Sequence, residues 1–112
     1  FTMSHISYAF NHSDIEATAY ALTILPGLDL AESESQAEII YQCCTSAAKK
    51  LINHDTDITP DEFRTILAAL QAAKSIILGD IDVDAKTRSE CKSYFFTINK
   101  LLSVFEKQLL QE

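Results

Sequence analysis

Two glycines, two prolines and no tryptophan occur in the 112 residues of the chain, and valine is confined to Val83 and Val104. Alternating apolar and polar runs are short, so stretches suited to a β-sheet are hard to find. Each of Pro26, Gly27, Pro60 and Gly79 falls between segments of helical apolar spacing, where it punctuates helices. Two isolated glycines also exclude a Gly-rich loop that could cradle phosphate.

The cysteines are Cys43, Cys44 and Cys91, an odd number that includes an adjacent pair and no Cys-x-x-Cys. A disulfide framework, a thioredoxin-like motif and a zinc ribbon are therefore all poorly matched. Reduced thiols in a cytoplasmic setting are expected instead. The longest uncharged apolar stretch, Ala17 to Leu28, is interrupted by Pro26 and Gly27. It falls short of the roughly 18 to 20 residues that cross a bilayer, so no membrane partner is expected. The start shows no basic segment leading into an apolar run, hence no secretory signal, and Met3 is read as the natural start behind Phe1 and Thr2.

Basic residues are scarce in the first half. Residues 1–62 contain ten acids against Lys49 and Lys50, whereas residues 63–112 hold six acids against seven bases, within a net charge of −7. Phosphate backbones would be repelled by the first half, which argues against nucleic acid and favours a basic protein partner. The same acidity also serves ordinary solubility.

What is present is helical and globular. Hydrophobic residues make up 47% and charged residues 22%, enough apolar material for one core. The spacing predicts an all-α fold: a single-domain antiparallel bundle over residues 1–112 with four helices, at about 14–26, 36–53, 60–78 and 85–110. A three-helix core with the first helix laid across it is the alternative. Ser13-Asp14-Ile15-Glu16 and Ser35-Gln36-Ala37-Glu38 fit capping boxes for the first two helices. Ile15, Ala19, Leu22 and Leu25 would line the first helix, and Ala37, Ile40, Cys44, Ala47 and Leu51 the second. Thr59-Pro60-Asp61-Glu62 opens the third with a cap, a proline at the first helical position and an acid at the third. Phe63, Ile66, Leu70, Ala73 and Ile77 form its seam, Gly79 closes it, and the small residues of 67–73 invite close helix approach. The fourth pattern carries a wide face of Cys91, Tyr94, Phe95, Ile98, Leu101, Leu102, Phe105 and Leu109, and would reach about 39 Å if straight. Such breadth predicts a central position, or an end that docks on a second copy. Ahead of the first helix, Ile6, Tyr8 and Phe10 alternate, as in an extended segment packed over the bundle or an earlier helical turn.

The clearest candidate for chemistry is Gly79-Asp80-Ile81-Asp82-Val83-Asp84, which starts like a calcium loop. Ala85 stands where such a loop needs glycine and Cys91 where it needs a bidentate glutamate, so the aspartates read better as the entry to the fourth helix. A Cys44–His54–Asp55 nucleophile set would be spread about 15 Å along one helix, out of hydrogen-bond reach. Cys44 and Cys91 lie on apolar seams and are expected buried, with Cys43 the most exposed of the three. A metal site of His5, His12 and a cysteine lacks the short ligand spacing that would support it.

No catalytic set, cofactor or metal site is expected from these residues. The functional reading is a non-enzymatic intracellular interaction or regulatory module that binds a basic protein partner or pairs with itself through the fourth helix. Glu32, Glu34, Glu38, Phe105 and Leu109 are the candidate contact residues. The alternative is a bundle enclosing a small ligand or metal between its helices, with Cys44, Cys91 or Tyr94 supplying the interior contacts.

Overall fold

A computed structural model describes residues 10–28, 31–55 and 57–110, apart from the side chains of Leu109 and Leu110. The expected segment Ile6 to Tyr8, together with His5, lies outside the described residues. Every regular element among those described is helical: α1 (His12–Ile24), a 3-10 turn (Leu25–Leu28), α2 (Glu34–Ile52), α3 (Pro60–Leu78), α4 (Ala85–Ser93) and α5 (Phe95–Leu110). The all-α bundle is as the periodicity predicts, with five helices where four were expected.

The extra helix comes from a break at Tyr94. Its N–H donates to the Cys91 carbonyl at 3.0 Å, a tightened three-residue step, and its backbone sits at φ −103°, ψ 7° before α5 begins. The largest dimension of the bundle is 36 Å. A straight helix over 85–110 would reach about 39 Å and overhang it.

Helix entries follow local chemistry but are shifted from the expected positions in two cases. Asn11, not Ser13, caps α1: its Oδ1 accepts from the Asp14 N–H at 2.8 Å, while Asp14 Oδ2 accepts from the Asn11 N–H at 3.1 Å. The other Asp14 oxygen takes Lys100 Nζ of α5 at 2.7 Å, a tertiary contact that holds the helix start in this register. The buried face is accordingly Asp14, Ala17, Thr18, Ala21 and Leu22, with Ile15 and Ala19 half-buried beside it. For α2 the cap is Ser33 rather than Ser35, its Oγ accepting from the Gln36 N–H at 3.1 Å. At α3 the box forms between Thr59 and Glu62 as expected, and Gly79 ends the helix at φ 89°. Asp84 caps α4 by accepting from the Thr87 N–H at 2.6 Å. The aspartate stretch is thus a helix entry, with Ile81 and Val83 turned toward the core.

The core centres on α3, which packs against α1, α2, α4 and α5. The breadth of the fourth pattern's apolar face predicts a central position for it; the small side chains of α3 decide otherwise. Ala69, Ala72 and Ala73 are all buried, and without long side chains between them helices can close on α3 from several sides. α1 is a full member of the core rather than a helix laid across it, since it packs on α2, α3 and α5. Phe105 sits under this assembly, edge-on to Phe63 with ring centres 5.4 Å apart and tilted against Phe10 at 5.8 Å.

Candidate functional site

α2 packs on α1, α3 and the 3-10 turn, but along a narrow seam. Its seam buries Cys44, Ala47 and Leu51, and residues 32–39, which include its first turns, are all exposed. Ala37, expected in the seam, is therefore outside the core, and Ile40 is half-buried. Beyond that seam runs a second stripe, Glu34, Glu38, Tyr41, Thr45, Ala48 and Ile52, at alternating steps of four and three. Such steps keep residues along one side of a helix. Tyr41 is 58% exposed and Ile52 59%, with Ile39 at 60% on the opposite flank. Singly exposed apolar residues are ordinary, but here two stand on one stripe above a groove.

That groove, of about 470 Å³, runs between α1 and α2. Leu22 and Pro26 form one wall, and Tyr41, Cys44, Ala48 and Ile52 the other, with Lys49 at the rim. The lining is mostly apolar and open, as befits a side chain or a helix laid across it rather than an enclosed ligand.

The far flank of α2 is clamped to α3 by a buried carboxylate. Glu62 Oε1 accepts from Lys50 Nζ at 2.7 Å and from the Thr59 N–H at 2.9 Å, and Oε2 accepts from the Ser46 hydroxyl. Burial alone would raise the Glu62 carboxyl, yet the donors from Lys50, Ser46 and Thr59 outweigh it and hold the group down at about 2. Its hydrogen bond in turn raises Lys50, whose ammonium also donates to the Asp57 carbonyl at 2.9 Å. Lys50 is thereby committed to the fold, while neighbouring Lys49 faces the groove.

A second polar constellation joins α1 to the α4–α5 break. The Tyr20 hydroxyl donates to Glu90 at 3.0 Å and the Tyr94 hydroxyl to Glu16 at 3.2 Å, with the two rings 5.3 Å apart. Burial and these carboxylate acceptors push both phenols above their ordinary range, so they stay protonated and serve as donors. The arrangement is a crossed clamp that fixes the break.

Of the expected contact residues, Glu32, Glu34 and Glu38 are exposed, Glu38 accepting from Gln42 Nε2 at 2.9 Å. Phe105 is a correction: it is wholly buried between Phe10 and Phe63 and offers no surface. The Leu109 side chain lies outside the described residues. Phe95 also departs from its expected core position, at 39% exposure, and Phe96 beside it reaches 82%. Cys44 and Cys91 are buried and Cys43 half-buried. Desolvation pushes the Cys44 thiol up to about 11 and raises Cys91 as well, which keeps both as poor nucleophiles. His12 is exposed and pairs with Glu16 at 3.5 Å. Among the described residues no group of three His, Cys, Asp or Glu side chains is placed to hold a metal ion. Nor is any described helix long and apolar enough to cross a membrane.

The chain matches no known family, no curated protein and no solved structure. The exposed apolar residues missed in the sequence are Tyr41 and Ile52; their signal was the second, 3.5-residue stripe, hidden by the stronger seam of Cys44, Ala47 and Leu51 beside it.

Proposed function

We propose that the protein is a non-enzymatic helical interaction module that recognises another protein through the outward face of α2. The observation that carries this reading is the stripe from Glu34 to Ile52, acidic at its start and apolar over the groove. Apolar anchors set in a groove supply binding energy, and flanking charges steer the encounter and select the partner. An acidic protein surface also disfavours nucleic acid as the partner. The ligand-enclosing alternative has no comparable support, since Cys44 and Cys91 are packed among aliphatic core residues and Tyr94 is engaged with Glu16.

Affinity capture with the wild type and with Ile52→Glu, in parallel and at low and high salt, tests the reading. A protein retained by the wild type and lost with Ile52→Glu is the expected result. Because Ile52 is exposed, helical content should be unchanged, and so should melting in dilute solution, so a lost partner cannot be ascribed to unfolding. An identical set of bound proteins for both forms would overturn it.

A further inference from the structure

The charges on the α2 face are arranged so that the face complements itself. Glu34 and Glu38 stand at the N-terminal end of the stripe and Lys49 at the groove rim near its C-terminal end. Lys50, the only other base on the helix, is spent on Glu62 and the Asp57 carbonyl. Glu38 and Lys49 are separated by three helical turns, about 16 Å along the axis, and lie on nearly the same side of it. We propose that the occupant of this face is a second copy of the chain, laid antiparallel along α2 so that Glu38 of each copy meets Lys49 of the other.

A parallel arrangement would stack acid on acid and lysine on lysine; the antiparallel one pairs both ends with the opposite sign. Its two-fold axis passes midway between Glu38 and Lys49, which brings Tyr41 of one copy over Thr45 and Ala48 of the other. Ile52 then lies along the aliphatic stems of Glu34 and Glu38, whose carboxylates can still reach solvent. The contact is isologous and closes at two chains. It deepens the reading of α2 as the contact face and depends on it, while naming the partner as the protein itself. Leu78 and Ile39 are exposed singly elsewhere among the described residues, and the Phe95–Phe96 pair at the start of α5 is a further exposed apolar feature, whose part in any self-association Phe96→Ser tests.

Sedimentation velocity and light scattering, from micromolar to submillimolar protein, decide the matter. The wild type should approach twice its monomer mass, and Tyr41→Ser should return it to the monomer without loss of helix. Glu38→Lys and Lys49→Glu should each weaken the dimer on the order of tenfold or more, because both symmetric pairs turn repulsive. An equimolar mixture of these two variants restores both pairs, as does the double variant, and should regain the wild-type affinity. A wild type that stays monomeric throughout overturns the proposal. So does a dimer indifferent to the charge exchange, or one abolished by Phe96→Ser. If the chain is monomeric and yet captures a partner that Ile52→Glu loses, the self-pairing fails while the α2 face stands; if no Ile52-dependent partner is captured either, both fall.

Discussion

α2 and α3 are both 19 residues long, both begin at a side-chain cap and both end through a left-handed residue, yet α3 buries eight residues and α2 three. The difference lies in what their flanks carry. On α3 the positions beside the seam include Ala69 and Ala72, which admit neighbours from several directions; on α2 the corresponding flanks carry Glu38, Tyr41 and Lys49, which do not pack into a core. One helix is thereby consumed by folding and the other is left with a surface to use. A large difference in mutational sensitivity should follow between two elements of the same length.

The largest expected effect is in the middle of α3. Leu70 is completely buried, so Leu70→Ala removes packed methyl groups and leaves a cavity. A loss of about 3–4 kcal/mol is expected in urea unfolding, enough to abolish most of the stability of a domain this size. A loss under about 1 kcal/mol would mean that α3 is not the centre of the fold.

Next comes the lock between the two helices. Glu62→Gln keeps the shape but leaves Lys50 without its carboxylate, and should cost about 3 kcal/mol at neutral pH. The pH dependence carries the sign. The Glu62 carboxyl is held near 2 in the folded protein against an ordinary 4.5, so its contribution, on the order of 3 kcal/mol, is fully present above about pH 4.5. It is lost as the pH falls from there toward 2. Unfolding free energies of the wild type and Glu62→Gln should therefore converge in that window; parallel curves down to pH 2 would show that Glu62 is not the group responsible.

How much of this contrast could be read in the sequence depends on whether the deciding interaction is local. The α3 entry at Thr59-Pro60-Asp61-Glu62 and its exit at Gly79 are settled by neighbours within a few residues, and both were legible. The start of α1 was misplaced because two overlapping sets of cap residues compete there, and Lys100, 86 residues away, takes part in the choice. Tyr94 lies in a helical pattern, but the break there is held by Tyr20 and Glu16 across the bundle, neither of which periodicity encodes. Phe105 was offered as a surface contact because a wide apolar face suggests spare area; only the placement of Phe10 and Phe63 shows that none is spare there. For the candidate surface, the acidic start of α2 was visible as charge. Its apolar continuation through Tyr41 and Ile52 was not, because which of two adjacent stripes faces the core is settled by the neighbours of the helix.

The two helix exits give a smaller and opposite pair of effects. Gly79 sits at φ 89° and His54 at φ 58°, so each helix ends in the left-handed region, where a side chain is strained. Gly79→Ala should cost about 1 kcal/mol, and His54→Gly at the end of α2 should add about 0.5–1 kcal/mol. Melting temperatures measured side by side suffice; a destabilising His54→Gly would show that the imidazole contributes more than the strain costs.

The smallest effect is the one that sharpens the contrast most. Ile39 and Ile52 are each about as exposed as a surface residue of a helix, at 60% and 59%, so neither has much apolar area out of water to lose. Ile39→Ser and Ile52→Ser should each change unfolding free energy by less than about 0.5 kcal/mol when the protein is dilute enough to be monomeric. At higher concentration the two should separate, because only Ile52 lies on the stripe that faces a second copy. Ile52→Ser then forfeits the stabilisation that association adds by mass action, whereas Ile39→Ser, on the opposite flank of α2, retains it. Unfolding midpoints followed against protein concentration would thus rise for wild type and Ile39→Ser and stay flat for Ile52→Ser. Equal slopes for all three would remove the distinction between the flanks of α2.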